Sequence, residues 1–152
     1  MSDWVPIVAG TGSALVGGFY VAFSAVVMPA LNRRSAMDAA ATMVAINERA
    51  VSAPFMILFF GTAAACGASI IAAAADPQPS AGLRVAGSVA YLSGWAMTMA
   101  INVPLNNTLA RTGPDQLASE WAGFERPWNR ANLVRAVLSV AGAVGLLIPQ
   151  QS

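Results

Sequence analysis

Six side chains near the C-terminal end of the chain, Trp121, Glu125, Trp128, Asn132, Arg135 and Ser139, follow one another in steps of 4, 3, 4, 3 and 4. At helical pitch that spacing stacks them on one face, provided that Pro127 bends the helix without rotating it far. The set combines a carboxylate, a guanidinium, an amide and two indole N–H groups, which is equipment for holding an oxygen anion and moving a proton. Arg135 sits among Ala131, Val134, Ala136 and Val137. An Arg at the centre of a lipid-spanning helix costs roughly 2.5–3.5 kcal/mol on insertion scales, so it faces protein and has a partner. Arg135 is therefore the first candidate for chemistry. Two plainer readings stand beside that one: it reaches up to the membrane surface, or it pairs with Glu125 or Glu48 to fix the bundle.

Asn102 and Asn106 fall one turn apart, at the end of the apolar run that precedes this helix. An amide donates and accepts at once, so these two and Asn132 can bind a polar ligand or serve as helix caps. Small or polar residues also recur at helical spacing in the earlier apolar runs, with Gly10, Ser13, Gly17, Tyr20 and Ser24 in the first, Phe55, Phe59, Thr62, Cys66 and Ser69 in the second, and Gly87, Tyr91, Trp95, Thr98 and Asn102 in the third. The Gly, Ser and Thr members read as helix-packing seams, because small residues let backbones approach closely in lipid. Tyr20, Tyr91 and Trp95 are bulky and carry a polar atom, so they either fill the bundle or line a cavity.

The elements that must position these groups follow from composition. Of the 152 residues, 57% are hydrophobic and 10% charged, against about a quarter charged in a soluble domain. The charges leave four long gaps, at 4–32, 50–75, 85–110 and 136–152. A spanning helix needs about 20 apolar residues, so the expected fold is all-α, a single transmembrane domain over 1–152 built as a four-helix bundle. Its spans are expected at about 4–28, 54–75, 83–103 and 127–148, the first ending at Pro29, the third at Pro104 and the fourth at Pro149. The acidic start Met1-Ser2-Asp3-Trp4 and the length of the first run argue against a cleaved signal.

Two short amphipathic helices are expected in the long connections. Ser35-x-x-Asp38 resembles a capping box and opens a helix to about Val51 with Ala40, Val44 and Asn47 on one face. The second lies within 106–126, with Thr112-Gly113-Pro114-Asp115 as its start and Leu117, Trp121 and Phe124 on one face. Asp76-Pro77-Gln78-Pro79-Ser80 is a tight turn. The long connections carry Arg33, Arg34, Arg49, Arg111, Arg126 and Arg130, and the opposite side only Arg84. Positive loops stay cytoplasmic, which predicts a multi-pass protein of the cell membrane with both termini outside. All eight basic residues are Arg, a bias common where coding DNA is GC-rich, as in bacteria.

The chain has no His, the commonest ligand of zinc, copper and iron. No phosphate-binding glycine loop, nucleophile-base arrangement or basic footprint is present, so neither metal, cofactor nor nucleic acid is expected. Cys66 lies mid-span and has no second Cys to pair with.

Asn102-x-Pro104-x-Asn106, followed by Trp121, Trp128, Asn132 and Arg135, resembles the anthrone oxygenase-like family of small membrane proteins. The likeness extends to Gly17-Gly18-Phe19-Tyr20 with Pro29, and to Asn47 with Pro54-Phe55. The chain departs from the pattern at Leu133, where many relatives carry His. The resemblance implies four spans and oxidation of an anthrone to an anthraquinone by O₂. An anthrone has an acidic C–H bond and its anion passes an electron to O₂ unaided, so a base, an anion-stabilising pocket and exclusion of water suffice. On that reading Arg135, Asn132 and the Trp128 indole hold an enolate-like oxygen, and Glu125 or Glu48 takes the proton. Tyr20, Tyr91 and Trp95 stack on a hydrophobic aromatic small molecule, within a binding region that also includes Trp121, Asn102, Asn106 and Asn47. The competing reading is a non-catalytic accessory or scaffold subunit, as a homo-oligomer or in a larger membrane complex. A concave pocket among the helices favours the first reading, and an outward polar seam the second. A transporter is disfavoured by the small number of spans and the lack of an internal repeat.

Overall fold

A computed structural model describes residues 4–148, and among these every regular element is helical. Pro149 and the three residues at the N-terminus lie outside the described residues, so the expected stop at Pro149 and the reading of Met1-Ser2-Asp3 stay sequence expectations. The elements are α1 (Trp4–Ala22), a π-helical turn (Phe23–Val27), α2 (Met28–Leu31), α3 (Ala36–Ala50), α4 (Ala53–Ala75), α5 (Ala81–Met97), a second π-helical turn (Thr98–Asn102), α6 (Val103–Arg111), a 3₁₀ turn (Pro114–Gln116) and α7 (Leu117–Leu147).

Three helical segments, Trp4–Leu31, Ala53–Ala75 and Pro114–Leu147, are long and apolar enough to cross a membrane. The segment beginning with α5, whose sequence mixes Ser88, Tyr91, Ser93, Gly94 and Trp95 among the apolar residues, is not one of them. It packs all the same: α7 lies along both α1 and α5, and α4 closes the group against the same two helices. Large apolar side chains face outward, among them Ile57, Ile71, Val137 and Val144, as expected of a surface solvated by lipid tails.

Prolines behave differently from expectation at three points. Pro29 and Pro104 do not end their helices, because each is preceded by a π-helical turn from which the helix resumes, to Leu31 and to Arg111 respectively. A proline ring collides with the carbonyl four residues before it, here that of Ala25 or Ala100. Widening the turn relieves the collision, and the Met28 N–H reaches back five residues to the Phe23 carbonyl, as the Val103 N–H does to Thr98. Pro127 neither opens nor breaks a helix but sits inside the 31 residues of α7. An interior proline costs about 3 kcal/mol. Burial on both sides of it opposes that cost, since Trp121, Phe124 and Trp128 form a ladder with ring centroids 5.5 and 6.0 Å apart. The separate helix expected over 106–126 is thus divided between α6 and the start of α7.

The first expected amphipathic helix is present as α3, capped by the Ser35 hydroxyl accepting from the Asp38 N–H at 3.1 Å. Its fully buried residues are Ala39, Ala40 and Met43, so its inward face is centred a little N-terminal of the expected Ala40–Val44–Asn47 line. It packs on α6 and α7 and completes a core of Phe23, Met28, Met43, Leu109, Phe124 and Trp128. A second core, with Val16, Tyr20, Phe59, Cys66 and Tyr91 among its members, fills the space between α1, α4, α5 and α7.

α5 and α7 meet backbone to backbone. A Cβ at Gly142 would lie 2.8 Å from the Gly87 carbonyl oxygen, and one at Gly87 would lie 2.9 Å from that of Gly142. Neither neighbour can swing aside as a flexible side chain would. Gly142→Leu should therefore push the helices apart and lower stability by at least the roughly 1–3 kcal/mol typical of overpacking, whereas Gly123→Leu, with open space around it, should change little. Thermal denaturation in detergent followed by circular dichroism checks this, and an equal melting temperature for both variants would contradict it.

Candidate functional site

The two cores meet at the π-helical turns, and the sequence reason is the pair of prolines. Each turn displaces its residues from regular helical register and sets polar side chains facing α7: Ser24 from the first, Thr98 and Asn102 from the second. α7 answers with Trp128, Asn132 and Arg135.

Arg135 is 4% exposed. Its Nη1 donates to Thr98 Oγ1 at 3.0 Å and its Nη2 to Asn132 Oδ1 at 2.7 Å. The guanidinium carbon lies 4.2 Å from the centroid of the Tyr20 ring and 5.6 Å from that of Trp128, placing the cation against two electron-rich π surfaces. These partners are all neutral, and Nε is buried with no hydrogen-bond partner among the described residues. Asn132 in turn is fixed by its own amide nitrogen, which donates to the Tyr20 carbonyl at 2.8 Å and to Ser24 Oγ at 2.7 Å. Ser24 passes its proton donor to Asn129 Oδ1 at 2.9 Å. Thr98 donates to the Gly94 carbonyl, which leaves its oxygen lone pairs to Arg135 and, at 3.5 Å, to the Tyr20 hydroxyl.

A cavity of about 260 Å³ opens beside this cation. Its lining combines the polar residues Arg135, Thr98, Asn102, Asn106 and Asn47 with the aromatic residues Phe19, Phe23, Phe55, Phe59, Phe60 and Trp128. Asn106 Oδ1 accepts from the Trp128 indole at 2.7 Å, and Asn102 donates to the Trp128 carbonyl at 3.3 Å. The arrangement suits a flat, largely apolar molecule with an oxygen at one edge. Closely packed ring faces grip the plane, and a fixed, water-poor cation favours negative charge on the oxygen.

The expected residues thus divide. Arg135, Trp128, Asn102, Asn106, Asn47 and Tyr20 line the cavity, and Asn132 holds Arg135 from behind. Trp121 is buried in the core below. Tyr91 is 1% exposed in the bundle interior, its hydroxyl donating to the Phe59 carbonyl, and Trp95 stacks on Phe59 at 6.0 Å without lining the cavity. The two carboxylates also stand apart from it. Glu125 accepts from Asn32 at 2.6 Å at the surface, and Glu48 is exposed, so the suggested pairing of Arg135 with either is not what the structure contains. Leu133, on the outer side of α7, is 56% exposed. Sequence reasoning missed the aromatic wall as a wall. Its signal was present in Phe19/Phe23 and Phe55/Phe59, two pairs spaced by four residues, which stack one turn apart on a helix. Among the described residues no group of three His, Cys, Asp or Glu side chains could hold a metal ion.

The family model described as anthrone oxygenase matches residues 55–145. No curated protein and no solved structure matches the chain. The matched region runs from Phe55 in α4 to Gly145 near the end of α7 and includes Thr98, Asn102, Asn106, Trp128, Asn132 and Arg135. Because the match covers more than half of the sequence, the chain belongs to the anthrone oxygenase family.

Proposed function

We propose that this chain is an integral membrane oxygenase that binds a flat aromatic or quinol-type substrate in the cavity and lets O₂ oxidise it without a bound cofactor. The observation that carries this reading is the buried guanidinium of Arg135, held by neutral groups and lining a cavity rich in aromatic side chains. Such a cation stabilises an oxygen that gains charge when the substrate ionises. Among the described residues no carboxylate competes with the substrate oxygen for it. For an anthrone, the ring CH₂ becomes C=O with one oxygen atom of O₂, and the other leaves as water. Arg135 holds the enolate oxygen, with Thr98 and Asn132 fixing the fork, and the rings exclude water while the electron-rich anion meets O₂. Among the described residues no Asp or Glu lines the cavity. Arg135 therefore acts on acidity, drawing the proton off the substrate toward solvent by favouring the anion. The accessory-subunit reading gains less support, since Asn102, Asn132 and Arg135 face inward and not along an outer seam.

Purified protein in lipid should consume O₂ with an anthrone or hydroquinone substrate. Arg135→Met should lower the rate by about 10²-fold or more, the scale seen on removing an oxyanion donor, and Arg135→Lys should keep part of it. No O₂ uptake by the wild type, or an Arg135→Met variant as fast as the wild type, would overturn the reading.

The same proposal includes four membrane crossings, with the segment from α5 into its π turn as the third, both termini outside and the arginine-rich connections in the cytoplasm. The excess of Arg on one side supports it. On intact cells of a Cys66→Ser background, a membrane-impermeant thiol reagent should label Gln78→Cys at once and Asn107→Cys only after permeabilisation. The reverse pattern would invert the topology, and labelling of both on intact cells would remove the third crossing.

A further inference from the structure

A second hollow lies against the cavity and has no use in anything described above. It is an open groove of about 470 Å³, lined by Phe19, Phe23 and Phe55 together with Thr42, Ala45 and Ile46 of α3. Four residues, Phe19, Phe23, Ala50 and Phe55, line the groove and the inner cavity alike. At those positions one layer of side chains stands between the two spaces.

Helix packing explains why the partition is so thin. α3 packs on α2, α6 and α7 and has no comparable contact with α1 or α4, so along this seam the bundle is closed by side chains and not by close-packed helices. The rings that close it are Phe19 and Phe55, with centroids 4.6 Å apart, and Phe23, 4.9 Å from Phe19. Phe19 is 37% exposed. None of these rings carries a polar atom, so turning one aside breaks no hydrogen bond and gives up only ring contacts of about 0.5–1.5 kcal/mol per pair. Exposed side chains change rotamer within nanoseconds. On the other side of the cavity, where Met99 is its exposed lining residue, α4 and α5 pack directly on each other.

The seam also borders lipid. Phe19 and Phe23 belong to Trp4–Leu31 and Phe55 to Ala53–Ala75, both long and apolar enough to cross a membrane. Arg49 is exposed and is the one charged residue of the groove among the described residues. A guanidinium on an apolar stem is suited to the headgroup layer, with the stem along apolar surface below it.

We propose that this groove is a lateral entrance, through which a flat apolar molecule dissolved in the bilayer passes between Phe19 and Phe55 into the cavity without first entering water. The inference rests on the cavity being a ligand site, and it gives the two rings a gating role separate from any chemistry. A gate raises or lowers one barrier that is crossed in both directions, so it changes the rates of entry and exit together and leaves affinity alone. A residue of the binding site changes affinity.

The test uses Ala45, which is exposed and lines the groove but not the cavity. In full-length protein carrying Cys66→Ser and Ala45→Cys, in phosphatidylcholine vesicles, benzyl methanethiosulfonate adds a ring at that position after folding, and a reducing agent removes it. Binding and release of anthraquinone, which does not react with O₂, are followed by stopped-flow quenching of tryptophan fluorescence, corrected for partition into empty vesicles. Labelling should slow association and dissociation alike, by about tenfold or more, the effect of roughly 1.4 kcal/mol added to the barrier. Kd should stay unchanged, and reduction should restore both rates. The same label at Val137→Cys, on the exposed side of α7, should alter neither rate. Equal rates before and after labelling of Ala45→Cys overturn the proposal, as does a weaker Kd with association unchanged, which would make the groove a binding surface. Slowing by a label at Met99→Cys but not at Ala45→Cys also overturns it and moves the entrance to the side of α4 and α5. Absence of anthraquinone binding to the unlabelled protein rejects the cavity as a ligand site, whereas normal binding with rates indifferent to the label rejects the entrance alone.

Discussion

A guanidinium taken out of water must recover its solvation from whatever surrounds it, and among the described residues the partners of Arg135 are neutral. Two hydrogen-bond acceptors, Thr98 and Asn132, and two ring faces, Tyr20 and Trp128, replace the water. A carboxylate would have been the stronger partner, yet it would also have cancelled the charge. Neutral partners leave the field of the cation directed at the cavity. Each of them is itself held: Asn132 by Tyr20 and Ser24, Thr98 by Gly94, Trp128 by Asn106. Such a network is only as good as its weakest unmet group, which is why its supports come from three separate helical segments.

Those supports depend on backbone irregularities. Pro29 and Pro104 each force the preceding turn open, and the opened turns carry Ser24, Thr98 and Asn102 toward α7. At the far end of the bundle the opposite device operates, with Gly87 and Gly142 admitting near-contact of α5 and α7. In lipid there is little hydrophobic drive for helices to associate, so close packing and interhelical hydrogen bonds must hold the site together. The wide turns make room for polar chemistry, and the close glycine contact fixes the helices that frame it.

The stacking of Trp128, Asn132 and Arg135 was readable from spacing alone, as were the three most apolar helices and the Ser35 cap, because each depends on helical periodicity or on a single local hydrogen bond. The partner of Arg135 was not. Glu125 lies on the same nominal stripe, but Asn32, far away in sequence, captures it at the surface, and no local rule foresees a contact between the end of α2 and α7. Proline was misjudged for a related reason. Taken singly, Pro29 and Pro104 end helices and Pro127 starts one; in the fold, two are absorbed by π turns and one by the burial of Trp121, Phe124 and Trp128 around it. Tyr91 and Trp95 share a stripe with Thr98, yet Thr98 lines the cavity while Tyr91 and Trp95 are taken up against Phe59, the one by a hydrogen bond and the other by stacking.

Burial and charge pull the acidity of a bound phenol in opposite directions: loss of water disfavours the phenolate, and an uncancelled guanidinium favours it. The ionisation of 2-hydroxyanthraquinone, followed by its colour change during a pH titration of protein-loaded vesicles, reports which wins. If Arg135 is the anion-stabilising group, the bound dye ionises at lower pH than in protein-free vesicles, by roughly one unit or more, and Arg135→Met abolishes the difference. Ionisation at the same or higher pH in the wild type would contradict the role given to that cation.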